Sequence, residues 1–164
     1  MTDPSIARWT SHIPYPYRRS DALEWIERTT RERRKGRTLS VVIVRRRDGR
    51  MLGGSGLHHL DDEGTTGEVG YWICREFRGE GYASEAVRMM LTVGFRSLGL
   101  HRIEALVFPR NRASRRVVQR CGFRYEGCLR DEIRKDGRWR SSLLYSRLAT
   151  DPPHRAKRRR KRVR

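Results

Sequence analysis

Residues 68–91 read EVGYWICREFRGEGYASEAVRMML. A short apolar run, Val69 to Cys74, leads into a loop holding Gly79 and Gly81. Apolar residues then recur at Ala83, Ala86, Val87, Met90, Leu91, Phe95 and Leu98. Spacings of three and four put these side chains on one face of a helix. Gly99 is placed to close it. The stretch therefore reads as strand, glycine loop and helix, and Ile103 to Phe108 supplies a returning strand. A strand–helix–strand unit of this kind predicts one parallel pair with a right-handed connection.

Working outward, Leu39 to Val44 is rich in β-branched residues and reads as a buried strand. Asp48-Gly49 is a hairpin signal, with Met51 to Leu60 as the partner strand and a polar loop over 61–66. Downstream, Arg112 to Arg120 predicts a short helix with Gly122 as its left-handed cap. Tyr125 to Arg134 and Trp139 to Leu148 frame a second hairpin signal, Asp136-Gly137. Residues 1–19, with Pro4, Pro14 and Pro16, read as irregular. Asp21 and Glu24 have capping-box spacing before a helix that fades near Gly36. The expected class is α/β (α+β): a mixed, mostly antiparallel sheet with one parallel pair and flanking helices.

The chain has 164 residues and a formal net charge of +19, from 38 Lys+Arg against 19 Asp+Glu. Its length suits one domain, placed at residues 1–150, followed by a basic, disordered tail over 151–164. Residues 155–164 hold eight bases and no acid, which leaves +11 for the rest of the chain. A run of like charges is a solvated tail with loose affinity for polyanions, or a docking element for ribosomal RNA or DNA. No apolar run approaches the ~20 residues of a membrane span. The N-terminus has no basic-then-apolar signal pattern, so a cytoplasmic location without membrane attachment is expected. Cys74, Cys121 and Cys128 form no CxxC pair and read as small buried apolar residues. His58 and His59 are adjacent, so on a strand they would face opposite ways and could not share a metal. No metal is expected.

The glycine loop carries the chemistry. Between a strand and a helix N-terminus it presents unpaired N–H groups at the positive end of a dipole, which suits phosphate. Gly79 and Gly81 let the backbone approach a ligand closely, and Arg75 and Arg78 can pair with phosphate oxygens. A Walker loop needs Gly-Lys-Ser/Thr, which is absent. A Rossmann fingerprint needs a third glycine where Ser84 stands, and it opens a run of parallel strands, whereas hairpins flank this unit. A plain structural turn is the remaining reading of Gly-x-Gly alone.

The segment Glu68 to Leu148 resembles the GCN5-related N-acetyltransferase (GNAT) superfamily, whose coenzyme motif is Gln/Arg-x-x-Gly-x-Gly/Ala; Arg78, Gly81 and Ala83 fill those positions. In order follow the helix, Leu98-Gly99-Leu100-His101-Arg102-Ile103, Asn111 with Ser114, Cys121-Gly122-Phe123, Glu126-Gly127 and Leu129-Arg130. That ordered set resembles the RimJ/RimL branch, which acetylates N-terminal amines of ribosomal proteins and other amines. The resemblance covers roughly half the chain.

The resemblance implies acetyl-coenzyme A as co-substrate, in a cleft where Val69–Cys74 and Ile103–Phe108 splay apart. It places the pantetheine arm on backbone groups of Trp72, Ile73 and Cys74, as an added strand would lie. The pyrophosphate would rest on Arg78, Gly79, Glu80, Gly81, Tyr82, Ala83 and Ser84, and Asn111 would bond the pantetheine or simply cap its helix. The reaction implied is direct attack of a neutral amine on the thioester, with a backbone N–H of the first strand holding the oxyanion. Many members place a Tyr acid at the eighth position of the Asn-headed motif, where this chain has Val118. Ser114 is the acid the RimL-like pattern implies, against the reading of an ordinary first-turn serine. Glu68 is the general-base candidate and Glu132 a second, each set against an exposed strand-end carboxylate. Ser141 or Ser142 stands where relatives often carry Asp or a similar polar residue, and the usual first strand and helix have no counterpart: either the chain starts late, or the sheet has lost an edge strand, which would leave an open edge on its neighbour.

The acceptor is an amine, either a protein N-terminus or a small molecule such as a polyamine, amino sugar or antibiotic. A non-catalytic protein of the same fold, associated with nucleic acid through its tail, is the reading from another class. Either a monomer or a homodimer accords with the sequence.

Overall fold

Alternating β-branched and glycine-rich segments build one sheet, seen in a computed structural model that describes residues 3–61 and 63–152. The elements run α1 (Pro4–Trp9), α2 (Arg19–Arg34), β1 (Leu39–Val44), β2 (Met51–His58), β3 (Thr66–Ile73), α3 (Tyr82–Thr92), β4 (Arg102–Val107), α4 (Arg112–Arg120), β5 (Arg124–Lys135) and β6 (Arg138–Leu148). Six strands form a single sheet in the order β1-β2-β3-β4-β6-β5. All neighbours are antiparallel except β3 and β4. The expected fold class holds. The basic tail lies outside the described residues.

Both hairpins form where the sequence placed them. At the second, Asp136 (φ 49°) and Gly137 (φ 73°) adopt the two left-handed conformations that a twist-matched two-residue turn requires. The main core lies between the sheet and helices α3 and α4, built from Leu57, Val69, Val87, Met90, Ile103, Val118 and Tyr145 among others. A smaller cluster of Leu52, Ile73 and Phe77 closes the end of the sheet beneath the glycine loop.

Several expectations need correction. Leu39–Val44 is a strand but not a buried one: Val42 and Val44 are 57% and 52% exposed, because β1 is the sheet edge and no described strand pairs with its outer side. Residues 4–9 are helical rather than irregular, since the Asp3 side chain accepts from the Ser5 N–H and Pro4 occupies the first turn, where it needs no donor. The cap of α2 falls one turn early: the Asp21 carboxylate accepts from the Arg18 N–H at 2.6 Å, so Asp21 is the third helical residue and not the cap. The long helix ends its regular part at Thr92 and continues as a π-helical turn over Val93–Ser97. Of the cysteines, Cys121 is buried but Cys128 is exposed.

Candidate functional site

The parallel pair is joined at only three positions: Thr66 with Arg102, Gly67 with Ile103 and Glu68 with Glu104. Beyond Glu68 the strands diverge, although β3 stays paired with β2 as far as Ile73 and β4 stays paired with β6 as far as Val107. The result is a wedge inside a continuous sheet, with Glu68 at its closed end. A wedge of this kind exposes main-chain donors and acceptors along one edge of a strand otherwise held in place, the arrangement by which an extended ligand is bound as an added strand.

Backbone alternation decides which groups face the wedge. The Cys74 N–H donates to Leu52 O at 2.8 Å, so Cys74, and Trp72 two residues before it, direct their main chain toward β2. Cys74 O also accepts from the Phe77 N–H. The edge open to the wedge thus belongs to Val69, Tyr71 and Ile73, which shifts the expected Trp72–Cys74 contact by one residue. Ile73 is the member common to both, and its carbonyl already accepts from Arg78 Nε at 2.8 Å.

That bond also corrects the part given to Arg78. Its guanidinium reaches Ser5 Oγ at 2.7 Å and Asp3 Oδ2 at 3.0 Å, tying α1 to the end of β3. The side chain anchors the loop, and the backbone is what the loop offers to a ligand. Gly79 (φ +86°) and Gly81 (φ +95°) lie in the left-handed region, and a Cβ at either would meet nothing within 4 Å. Open space therefore adjoins both glycines. The first helical bond is donated by Glu85 to Gly81 O at 3.1 Å, so Tyr82, Ala83 and Ser84 have N–H groups without a carbonyl one turn back. This cradle fits the pyrophosphate of a coenzyme.

The residues of β3 divide between the two faces of the sheet. Glu68 and Trp72 share a face with His58, whose ring lies over Gly56 and Gly70, while the Trp72 indole lies over Gly54. The glycines of β2 are what allow two rings to lie flat there. Glu104 stands beside Glu68, and Ser142 Oγ donates to Glu132 Oε2 at 2.9 Å on the same side. Arg102 takes up Glu104 and Glu126 at 2.7 and 2.9 Å. Burial first, then the negative charges of Glu132 and Glu104, push the Glu68 carboxyl up to about 7. Glu68 is half-buried, not an exposed strand-end acid, and its Oε2 lies 4.0 Å from His59 Nε2. Burial likewise pushes the neighbouring His58 down to about 4, leaving it neutral; its Nδ1 lies 2.8 Å from Thr38 Oγ1.

On the opposite face, Tyr71 crosses to the start of α4. Its hydroxyl is 2.7 Å from Ser114 Oγ and 3.3 Å from Ser114 O. Asn111 caps α4 by accepting from the Ser114 N–H at 3.1 Å. Val118, at the eighth position of the Asn-headed segment, is fully buried. Sequence reasoning missed Tyr71, and it did not place Glu104 beside Glu68. The one signal for Tyr71 was its odd-numbered position in β3, which sets it opposite Glu68.

The described sheet parts along its one parallel pair, with the open N-terminus of α3 at the mouth and Glu68 at the apex, the geometry expected of an N-acetyltransferase. The chain belongs to the GNAT acetyltransferase family: residues 1–124 match the Acetyltransferase (GNAT) domain. Its likeness falls in the RimJ/RimL-like branch. It is 31% identical over 147 residues to the uncharacterized N-acetyltransferase p20 of Bacillus licheniformis, covering 90% of this chain and 82% of that protein. Against the putative ribosomal N-acetyltransferase YdaF of Bacillus subtilis it is 38% identical over 101 residues, 62% of this chain but 55% of YdaF. The structure of Mycobacterium smegmatis RimJ in complex with CoA-disulfide superposes with a TM-score of 0.78 at 32% identity, covering 86% of this chain and 69% of RimJ.

Proposed function

We propose that this protein transfers the acetyl group of acetyl-coenzyme A to an amine by direct attack, the acceptor being a protein N-terminal α-amine. The observation that carries the reading is the wedge itself, with Glu68 at its closed end and the open helix N-terminus of α3 at its mouth. The Tyr82–Ser84 amides and the Gly79–Gly81 backbone hold the pyrophosphate, and the inner edge of β3 holds the pantetheine arm. Asn111 is at hand at the start of α4. The thioester supplies an activated acetyl group when bound.

An α-amino group has a pKa near ~7.7–8.0, so a substantial fraction is neutral near that pH. Glu68, held at about 7, is matched to the remaining task of accepting the proton the amine loses, through water. An N–H on the open edge of β3 stabilises the developing oxyanion. Ser114 donates a hydrogen bond to the departing sulfur, and the thiol's proton comes from solvent. Positioning accounts for much of the rate, since both reactants are held in one cleft.

Isothermal titration with acetyl-coenzyme A tests the first half of the reading, and no binding at millimolar ligand rejects it. A thiol-release assay across basic N-terminal peptides, polyamines and amino sugars tests the second. The small-amine reading has one observation in its favour: Glu68, Glu104 and Glu132 gather negative charge at the apex of a chain whose net charge is +19. Turnover on polyamines exceeding that on peptides selects it.

A further inference from the structure

We propose that Tyr71 is a positioning residue for the leaving-group step, its hydroxyl donating to Ser114 Oγ so that the serine's own proton points into the cleft. The inference rests on the reading of Ser114 as the donor to sulfur. Two hydroxyls 2.7 Å apart can be arranged in either direction. If Ser114 donated to Tyr71, its single proton would be spent and nothing would be left for the sulfur. Ser114 is fixed from two further sides: its N–H donates to Asn111 Oδ1 at 3.1 Å, and its carbonyl lies 3.3 Å from the Tyr71 hydroxyl. The Tyr71 hydroxyl has one proton and two acceptors in reach, Ser114 O at 3.3 Å and Ser114 Oγ at 2.7 Å; given to the nearer Oγ, it leaves the serine's own proton free.

The chain has a reason to need this arrangement. The eighth position of the Asn-headed segment is Val118, fully buried and without a polar atom to offer. Tyr71 approaches the same helix turn from β3, on the strand whose edge forms the wedge. It does not itself supply the proton. Burial pushes its phenol up to about 12, whereas an ordinary thiol titrates near ~8.5, so a phenolate would be a poor exchange for a thiolate. A phenol that keeps its proton still polarises the serine, because hydrogen bonds in a chain strengthen one another. The proton count is unchanged: the amine gives up one proton through Glu68 to solvent, the C–S bond breaks, and the sulfur gains one proton from solvent.

The test is a double-mutant cycle on the full chain with Tyr71→Phe and Ser114→Ala, following kcat, KM for acetyl-coenzyme A and thermal stability. Tyr71→Phe keeps the ring in the core and is expected to lower kcat about tenfold with KM unchanged. Ser114→Ala, which removes one hydrogen-bond donor to the developing thiolate, is expected to lose roughly a hundredfold, and the double variant to be no slower than Ser114→Ala alone. Full activity in Tyr71→Phe with a slow Ser114→Ala overturns the role of Tyr71 and leaves that of Ser114 intact. Full activity in both removes the Ser114 reading and this inference with it. Multiplicative losses show two independent effects and overturn the coupling. Should Tyr71→Phe fail to fold, a site-specific fluorinated tyrosine keeps the hydroxyl and makes it a stronger hydrogen-bond donor; a changed kcat at constant KM then supports the proposal, and an unchanged kcat overturns it.

Discussion

Glu68 stands at the last rung shared by two strands, where burial and neighbouring carboxylates raise its carboxyl from 4.5 to about 7. As a base it works only when ionised, so kcat/KM is expected to rise with pH through about 7. Glu68→Gln should leave only the limb set by the amine's own deprotonation near ~8 and lower activity on an α-amine roughly a hundredfold, as read from initial rates of thiol release. The same shift has a sign in stability. The folded state holds this proton more tightly than the unfolded chain, so the stability it contributes is present below 4.5 and is lost as pH rises to about 7. His58 runs the other way: lowered from 6.5 to about 4, it costs stability as pH falls across that interval. The two trends oppose one another. Urea unfolding of Glu68→Gln should therefore show a steeper gain of stability between pH 4 and 6.5 than the parent chain does.

The N-terminus of α3 and the turn beyond its C-terminus are the elements that make the loop work. Gly81 sits at φ +95° with open space around it, so a side chain there meets backbone strain rather than a clash. Gly81→Val is expected to weaken coenzyme binding at least tenfold by filling the approach to the amides, and to cost about 1–2 kcal/mol from the left-handed conformation. Calorimetry with coenzyme A and urea melts separate the two effects. Gly94, in the π-helical turn, is limited by packing instead: a Cβ would lie 2.5 Å from Ile103 Cδ1 and 3.2 Å from both Leu57 Cδ1 and Leu100 Cδ1. Leu57 and Ile103 are fully buried, so a shift of their methyl ends must be taken up by packed neighbours. Gly94→Ala should therefore destabilise by about 1–3 kcal/mol despite the better helix propensity of alanine, measured as a lower urea midpoint at an unchanged slope.

At the scale of the whole molecule, positive charge concentrates at one end of the sequence. Eight of the +19 charges belong to residues 155–164, whereas the carboxylates gather on one face of the sheet around Glu68. Deleting residues 155–164 should leave turnover on a small amine unchanged and weaken association with RNA or DNA at low salt, with a shallower salt dependence. Filter binding across a salt series, run beside the thiol-release assay, checks both halves. Loss of small-amine turnover would show that the tail serves catalysis as well.

The sequence by itself determined the element order from α2 onward, both hairpin turns, the strand–loop–helix at 69–92 and the glycines that open its N-terminus. Each of these depends on local rules: hydrophobic period, capping and positive φ. Leu39–Val44 shows where such rules stop, since β-branched composition marks a strand without saying whether anything covers it. The side-chain ends were likewise beyond local reading. Arg78 was legible as a cation beside a phosphate loop, yet Asp3 and Ser5, more than seventy positions earlier, claim its guanidinium. Only the tertiary structure decided that β3 and β4 part after Glu68, that the open edge belongs to Val69, Tyr71 and Ile73, and that Tyr71 meets Ser114 from 43 positions away. The physical reason is that a hydrogen-bond direction or a raised pKa depends on what long-range pairing brings within a few ångströms, and neighbours in the chain carry no record of it.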